Sequence, residues 1–148
     1  MRKSKTFLTH QNKLKGNPVV GKAIFGSCLA CHAVGKEGNE FAPPLDGGKN
    51  RGIEHLLTAI ISPDDAVEGA FGLYFVTTKD GSVIEGYLVK NDSNGITIGQ
   101  AGGSKLFVAK NNIHSHGGVN GRSFMPRTFG NLPAQSLIDI SAYIKTLE

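Results

Sequence analysis

The sequence predicts a mainly α-helical protein with a small antiparallel β segment between its second and last helices. Three observations support this prediction. Apolar residues repeat with helical spacing in 17–27, in 53–62 and again after Pro133. Within 71–116, by contrast, the residues follow the period of two that is typical of strands, in which successive side chains point to opposite faces. Because helices flank these strands on both sides, an insertion into a helical domain explains the order better than one mixed sheet along the whole chain.

Three helices are predicted. Asn17 precedes Pro18, a pair typical of a helix start, because Asn caps the helix and proline needs no hydrogen bond at the first position. The second helix spans 53–62 and ends before Pro63. Its apolar face comprises Ile53, Leu56, Leu57, Ile60 and Ile61. The closing helix begins near Pro133, and its apolar stripe comprises Leu137, Ile140, Ile144 and Leu147.

The pattern of residues 71–116 predicts four or five antiparallel strands. The alternating stretch 71–78 is followed by turn residues at 79–82 and by a second strand at 83–90, which together form a hairpin. Shorter strands are predicted at 96–98 and 106–108, and a last one at 113–115. By contrast, residues 35–52 are rich in Gly, Pro and Asn and should be irregular.

Length and charge indicate one domain, with or without a small insertion, that starts with a basic tail. The 148 residues, 39% of them hydrophobic, suffice for a modest core, and no apolar run reaches the roughly 18 to 20 residues of a membrane-spanning helix. Residues 1–16 hold five basic and no acidic residues, whereas 17–148 hold eleven basic and twelve acidic ones. The tail is expected to be flexible, with binding to an acidic partner or lipid head groups as the alternative. Its basic residues are Arg2, Lys3, Lys5, Lys13 and Lys15.

The most specific motif is CxxCH, formed by Cys28, Cys31 and His32. Two thiols at this spacing can add to the two vinyl groups of one haem, and the adjacent histidine then becomes the proximal iron ligand. Cys28 and Cys31 are the only cysteines, so none remains for a structural disulfide. The motif therefore predicts one covalently bound haem c.

Other uses of these residues are weaker. A zinc site usually takes four ligands, and no second CxxC or closely spaced histidine pair of the usual kind follows. A thioredoxin-like redox pair would follow a strand in a βαβ unit, whereas this motif follows a predicted helix. His114 and His116 form an HxH pair that lacks a visible third ligand, and His10 and His55 are expected to be surface or structural residues.

Met125 is the candidate sixth ligand. It is the only methionine besides Met1, and it lies in a Gly-rich segment just before the closing helix. A thioether is a neutral, soft ligand that raises the reduction potential relative to a second histidine. The alternative is that Met125 only fills a gap in the core.

The order of these features resembles the haem-binding domain of the cytochromes c of the Planctomycetes and Verrucomicrobia type, in which a β segment interrupts a class I cytochrome c helical fold. The resemblance covers residues 17–148, with a haem domain at 17–70 and 117–148 and the β insertion at 71–116, before the Met125 loop. It is carried by GKAIFGSCLACHAVG (21–35), APPLDGGKNR (42–51), HLLTAIISP (55–63), YFVTTKDGSVIEGYLV (74–89), SFMP (123–126) and the closing SLIDISAYIKTL.

The resemblance implies roles for further residues. The Pro43 carbonyl would accept a hydrogen bond from His32, Leu45 would pack on the haem plane, and Arg51 would face a propionate. Gly21 would let the closing helix cross closely. Ala42 stands where the family often has glycine, which affects only the local turn. The expected haem-binding residues are Cys28, Cys31, His32, Phe41, Pro43, Leu45, Arg51, Phe124 and Met125, of which His32 and Met125 bind the iron.

These features predict an electron carrier rather than an enzyme. Iron with strong ligands on both sides has no open position for a substrate, which leaves one-electron transfer. The expected partners are redox proteins: a dehydrogenase as donor and an oxidase or another cytochrome as acceptor; no nucleic-acid motif is found. Haem attachment of this kind predicts a periplasmic or otherwise exported protein. Phe7 and Leu8 are too few for the apolar centre of a secretion signal, so the full gene product is expected to supply one.

Two alternatives from other classes remain open. The first is a haem-based sensor or small-ligand binder in which Met125 binds weakly or not at all. The second takes the β insertion as a docking surface for a dehydrogenase or a neighbouring domain, which is compatible with electron transfer.

Overall fold

The computed structural model describes residues 14–148, in which α-helices precede and follow an antiparallel sheet in chain order. Most of the basic tail, and His10 with it, therefore lies outside the described residues. The regular elements are α1 (Pro18–Ile24), β1 (Ala33–Val34), β2 (Glu37–Gly38), α2 (Ile53–Ile61), β3 (Gly72–Thr78), β4 (Val83–Asn91), β5 (Gly95–Gly99), β6 (Lys105–Ala109), β7 (Ile113–Ser123) and α3 (Ala134–Ile144). None of the helices within 14–148 is long and apolar enough to cross a membrane.

The prediction of a mainly α fold, a class I cytochrome c helical fold with a small insertion, is wrong. Of the residues that the structure describes, 40% lie in helices, 3₁₀ helices included, and 31% in strands. The strands form a two-stranded sheet, β1-β2, and a five-stranded antiparallel sheet in the order β6-β5-β4-β3-β7. The sheet therefore makes up a share of the fold comparable to that of the helices.

Strand β7 accounts for much of this difference. The sequence predicted only 113–115 as its strand, whereas β7 continues to Ser123 and pairs with β3, from Thr78↔Ile113 to Gly72↔Ser123. Glycines at 117, 118 and 121 interrupt any alternation of side chains, so this segment has the composition of a loop. Its strand conformation is set by backbone hydrogen bonds to β3, which composition does not reveal.

The three predicted helices are confirmed, with small changes at their ends. Asn17 caps α1, because its Oδ1 accepts the backbone N–H groups of Val19 and Val20 at 3.0 and 3.3 Å. The α-helix ends at Ile24 and continues as a 3₁₀ helix, Phe25–Ala30. In α2 the buried face comprises Leu56, Leu57 and Ile60, whereas the predicted face residue Ile53 is exposed.

Helices α1 and α3 cross in close contact, as the resemblance implied. A Cβ atom at Gly21 would overlap the backbone carbonyl of Asp139, so only glycine allows this approach. Beside the crossing, the rings of Phe25 and Tyr143 meet edge to face, with 5.0 Å between their centroids. Contact with α3 also includes Lys15, whose carbonyl accepts a hydrogen bond from Gln135 at 3.0 Å. The packed part of the chain therefore begins before Asn17.

The described part of the chain forms two hydrophobic cores. The helical core is formed by Phe25, Leu45, Leu56, Leu57, Ile60, Leu137, Ile140 and Ile144. The sheet has its own core of Val76, Ile96, Ile98 and Val108, one residue from each of β3 and β6 and two from β5. A cleft opens where the helical core meets the end of the sheet.

Candidate cofactor site

The cleft brings together the four residues from which a haem site was predicted. Cys28, Cys31, His32 and Met125 all line it, although Met125 lies more than ninety residues further along the chain. Its remaining walls are largely apolar, and the space between them, including open solvent at the mouth, is about 1310 Å³. A large apolar cavity with a few convergent polar atoms is the usual form of a cofactor site.

Local backbone hydrogen bonds shape the CxxCH motif into a tight turn. The N–H groups of Cys31 and His32 both bond to the Cys28 carbonyl, at 3.2 and 2.9 Å. In turn, the Cys31 carbonyl accepts the N–H groups of Phe41 and Ala42 at 3.0 and 2.9 Å. The following loop is thus anchored to the motif, and its residues become the wall of the cleft beside His32.

His32 is held in the orientation and charge state of a metal ligand. Its Nδ1 lies 2.7 Å from the Pro43 carbonyl oxygen, the hydrogen bond that the resemblance implied. A carbonyl only accepts, so Nδ1 carries the proton and Nε2 keeps its lone pair for a metal. Burial lowers the pKa of His32, which keeps the ring neutral near pH 7.

The two cysteines are protonated thiols at neutral pH. Burial raises the pKa of Cys28 to about 11 and also raises the pKa of Cys31, and the two form no disulfide. Redox-active CxxC pairs have the opposite property, a lowered pKa that makes the thiolate available. This difference argues against a thioredoxin-like pair and suits two thiols that face a largely apolar cleft.

Met125 reaches the cleft from the loop between β7 and α3. Its side chain packs, half-buried, against the helical core. Its backbone N–H donates to Ser123 Oγ at 3.1 Å, which ties the methionine to the last residue of β7. The loop is therefore attached to the sheet, while the side chain of Met125 packs against the helices.

The other predicted haem-binding residues also line the cleft, but one of them has a different partner. Phe41 and Leu45 are buried in its wall, and Pro43 and Phe124 are half-buried there. Arg51 lines the cleft as well, where its guanidinium forms an ion pair with Glu68. Loading of a cofactor with carboxylates near Arg51 would have to share or displace this pair.

Several lining residues were not predicted to belong to the site. Glu68 and Phe71 come from the segment before β3, Ala101 from the turn between β5 and β6, and His55 from the exposed side of α2. His55 was noticed as a histidine, but its place at the cleft depends on how α2 packs. The others have no motif, and only the docking of the sheet brings them to the cleft.

The sheet docks on the cleft through an aromatic cluster centred on Tyr87. Its ring centroid lies 5.7 Å from that of Phe41 and 6.4 Å from those of Phe71 and Phe124. The Tyr87 hydroxyl also donates to the Glu40 carbonyl at 3.3 Å. Three aromatic residues that line the cleft therefore pack around a single side chain of β4.

The HxH pair gives no metal site in the described residues. His116 Nδ1 lies 2.7 Å from the Tyr74 hydroxyl; His116 is exposed, whereas Tyr74 is half-buried against the core of the sheet. Across residues 14–148, no group of three or more His, Cys, Asp or Glu side chains is placed to hold a metal ion. A metal ion bound by His32 and Met125 would need further ligands, and the described residues do not supply them in the cleft. A porphyrin would supply them through its four nitrogens.

The residues present thus fit a haem. Two thiols, a neutral histidine with a free Nε2 and a thioether line one large apolar cleft. No protein-family model matches the chain, and no curated protein matches it either.

Proposed function

We propose that this protein is a one-electron carrier with one haem c, attached covalently to Cys28 and Cys31 and ligated by His32 and Met125. The observation that carries the proposal is the shared cleft: the CxxCH motif and the only methionine of residues 14–148 line the same apolar space from distant parts of the chain. The resemblance to the Planctomycetes and Verrucomicrobia haem-binding domain agrees with this function and is part of the proposal.

When bound, the haem supplies a one-electron change between ferrous and ferric iron. The protein contributes the rest. The Pro43 carbonyl orients the His32 ring and fixes its tautomer. Its hydrogen bond to Nδ1 also raises the basicity of Nε2 as an iron ligand. Phe41 and Leu45 give the cleft buried apolar walls, and an apolar environment with a neutral thioether favours the reduced state. Cys28 and Cys31 would hold the haem through thioether bonds, each formed by addition of one S–H across one vinyl double bond, which would need no oxidant or reductant.

The proposal includes where the protein works. Covalent attachment of haem to CxxCH is expected outside the bacterial cytoplasm, so we propose an exported, periplasmic protein. Its partners would be redox proteins, a dehydrogenase as donor and an oxidase or another cytochrome as acceptor. Because Phe71, Ala101 and Phe124 bring the end of the sheet to the cleft, a partner that docks on the sheet would also approach the cofactor.

The test is production in a host that matures c-type cytochromes. We expect the intact mass to increase by one haem, and the increase to be absent from a Cys28→Ala, Cys31→Ala double variant. The oxidised protein should show a low-spin spectrum with a near-infrared charge-transfer band from methionine to iron, and Met125→Ala should lose that band, bind exogenous ligands and have a lower potential.

Other results have distinct meanings. Only the bare polypeptide mass in a competent host would contradict the whole proposal. A high-spin wild type that binds carbon monoxide readily would keep the haem and favour a sensor instead. His55 lines the same cleft, so a low-spin spectrum that changes in His55→Ala and not in Met125→Ala would move the sixth ligand to His55.

A further inference from the structure

The carboxylate of Asp64 makes several contacts that the haem site as described does not use. Asp64 lies in the 3₁₀ segment Pro63–Ala66, directly after α2, and only 18% of its side chain is exposed. Its Oδ1 accepts the backbone N–H of Ser123 at 2.8 Å. Its Oδ2 forms an ion pair with Arg127 and lies 3.4 Å from Arg122 Nε.

These partners bracket Met125. Arg122 and Ser123 precede it and Arg127 follows it, so one carboxylate holds both ends of the loop that carries the thioether. Ser123 in turn accepts the N–H of Met125 through its hydroxyl at 3.1 Å. Two consecutive hydrogen bonds therefore connect Asp64 to the backbone of Met125.

Asp64 is ionised in this network at neutral pH. The N–H of Ser123 is the main cause that holds its pKa below the ordinary value, and the two arginines lower the pKa further. Hydrogen bonds to a charged group are stronger than those between neutral groups. The Asp64 carboxylate therefore holds the loop more firmly than the neutral hydrogen bonds of an ordinary turn would. Because Asp64 is attached to α2, whose buried face forms part of the cleft, the brace fixes the loop relative to the cleft itself.

We propose that Asp64 is a positioning residue for the sixth ligand: it holds the loop 122–127 so that the Met125 sulfur stays at the cofactor. This inference rests on the proposed function, since it gives Asp64 an effect on iron ligation through Met125. Loss of the carboxylate leaves the fold of α2 and the sheet in place but lets the loop move, and an exogenous ligand then competes with the thioether.

The test uses the haem-loaded protein and carbon monoxide as the probe of the ferrous sixth position. We compare wild type, Asp64→Ala, Asp64→Asn, Met125→Ala and the control Asp65→Ala. Asp65 is the matched control, because it is the next residue of the same 3₁₀ segment, carries the same charge and is exposed. Asp64→Asn keeps an oxygen that can accept from Ser123, so it preserves folding while it removes the charge.

We expect carbon monoxide to bind about tenfold to a hundredfold faster in Asp64→Ala than in wild type, with Asp64→Asn between them, since charged hydrogen bonds are lost. The near-infrared methionine band should weaken in the same order, and the Ser123 and Met125 amides should exchange hydrogen faster. Asp65→Ala should match wild type in all three measurements.

Two outcomes would overturn the inference, and they differ in what they leave standing. If Met125→Ala binds carbon monoxide rapidly while both Asp64 variants behave as wild type, Asp64 does not position the ligand, and the proposed carrier keeps its His/Met site. If Met125→Ala itself binds carbon monoxide at the wild-type rate, Met125 is not the sixth ligand, and no effect of Asp64 through it remains.

Discussion

The helical region (residues 14–71 and 124–148) and the sheet (residues 72–123) bury their apolar side chains in different ways. Six of the eight buried residues of the helical core also line the cleft: Phe25, Leu45, Leu56, Ile60, Ile140 and Ile144. None of the four core residues of the sheet lines it, and Val76 and Ile98 are fully buried among their own neighbours. The helical core is thus shared with whatever occupies the cleft, whereas the sheet completes its core by itself.

This difference separates stability from function within one short chain. A core that serves as the wall of a cofactor site gains part of its burial from the cofactor, so its stability depends on loading. Through Tyr87 the sheet packs against the walls of the cleft, and the end of β7 holds the methionine loop by a hydrogen bond. Each of the following predictions tests whether the two regions behave separately in this way.

The largest effect is expected from preventing haem attachment. In the Cys28→Ala, Cys31→Ala double variant, amides of α1, α2 and α3 should lose more than about 4 kcal/mol of protection from hydrogen exchange, because on the proposed function the helical core loses the burial that a haem would supply. The amides of β4 and β5 should keep most of theirs. Equal loss in both regions, measured residue by residue, would mean that the two cores form one cooperative unit.

The next effect concerns the core of the sheet. Ile98→Ala should lower the free energy of unfolding by about 3 kcal/mol, because it leaves a cavity around a side chain with no exposed surface. Val83→Ala, at a position 60% exposed, should change it by less than about 0.5 kcal/mol. The haem spectrum of Ile98→Ala below its melting temperature should match wild type. A shifted methionine band would show that the sheet core and the cofactor site are coupled.

A smaller effect is expected at the junction of the two regions. Tyr87→Ala should lower stability by about 2 kcal/mol and separate the unfolding of the sheet from that of the helices, because its ring touches Phe41, Phe71 and Phe124. Tyr87→Phe keeps the ring and loses one long hydrogen bond, so it should cost less than about 1 kcal/mol. Circular dichroism and haem absorbance, followed in the same denaturant titration, should coincide for Tyr87→Phe and diverge for Tyr87→Ala.

The smallest effect is a dependence of stability on acid. The folded-state pKa of Asp64 is lowered, so its contribution is fully present above the unfolded pKa of about 3.9 and is lost as pH falls through the lower folded pKa. The difference in unfolding free energy between wild type and Asp64→Asn, about 1 kcal/mol or less, should be constant above pH 5 or so and shrink below about pH 4. A difference that instead grows on acidification would contradict the assigned direction.

Much of the structure follows from short-range patterns in the sequence. Asn17 and Pro18 fix the start of α1, Pro63 follows the end of α2, and the alternation in 71–78 and 83–90 yields the hairpin. These features depend on neighbours along the chain, so they are readable without the fold. The spacing of Cys28, Cys31 and His32 is likewise a local pattern, and the haem attachment that it indicates stays a prediction.

Only the tertiary structure decided the weight of the sheet and the full composition of the site. Strand β7 is a strand because β3 supplies its hydrogen-bond partners, and its glycines give no periodic signal in advance. Glu68 and Ala101 reach the cleft, and Asp64 reaches the loop of Met125, through contacts between elements far apart in sequence. Local spacing specifies residues that act within one turn, whereas a wall or a brace is formed by packing, which is a property of the whole chain.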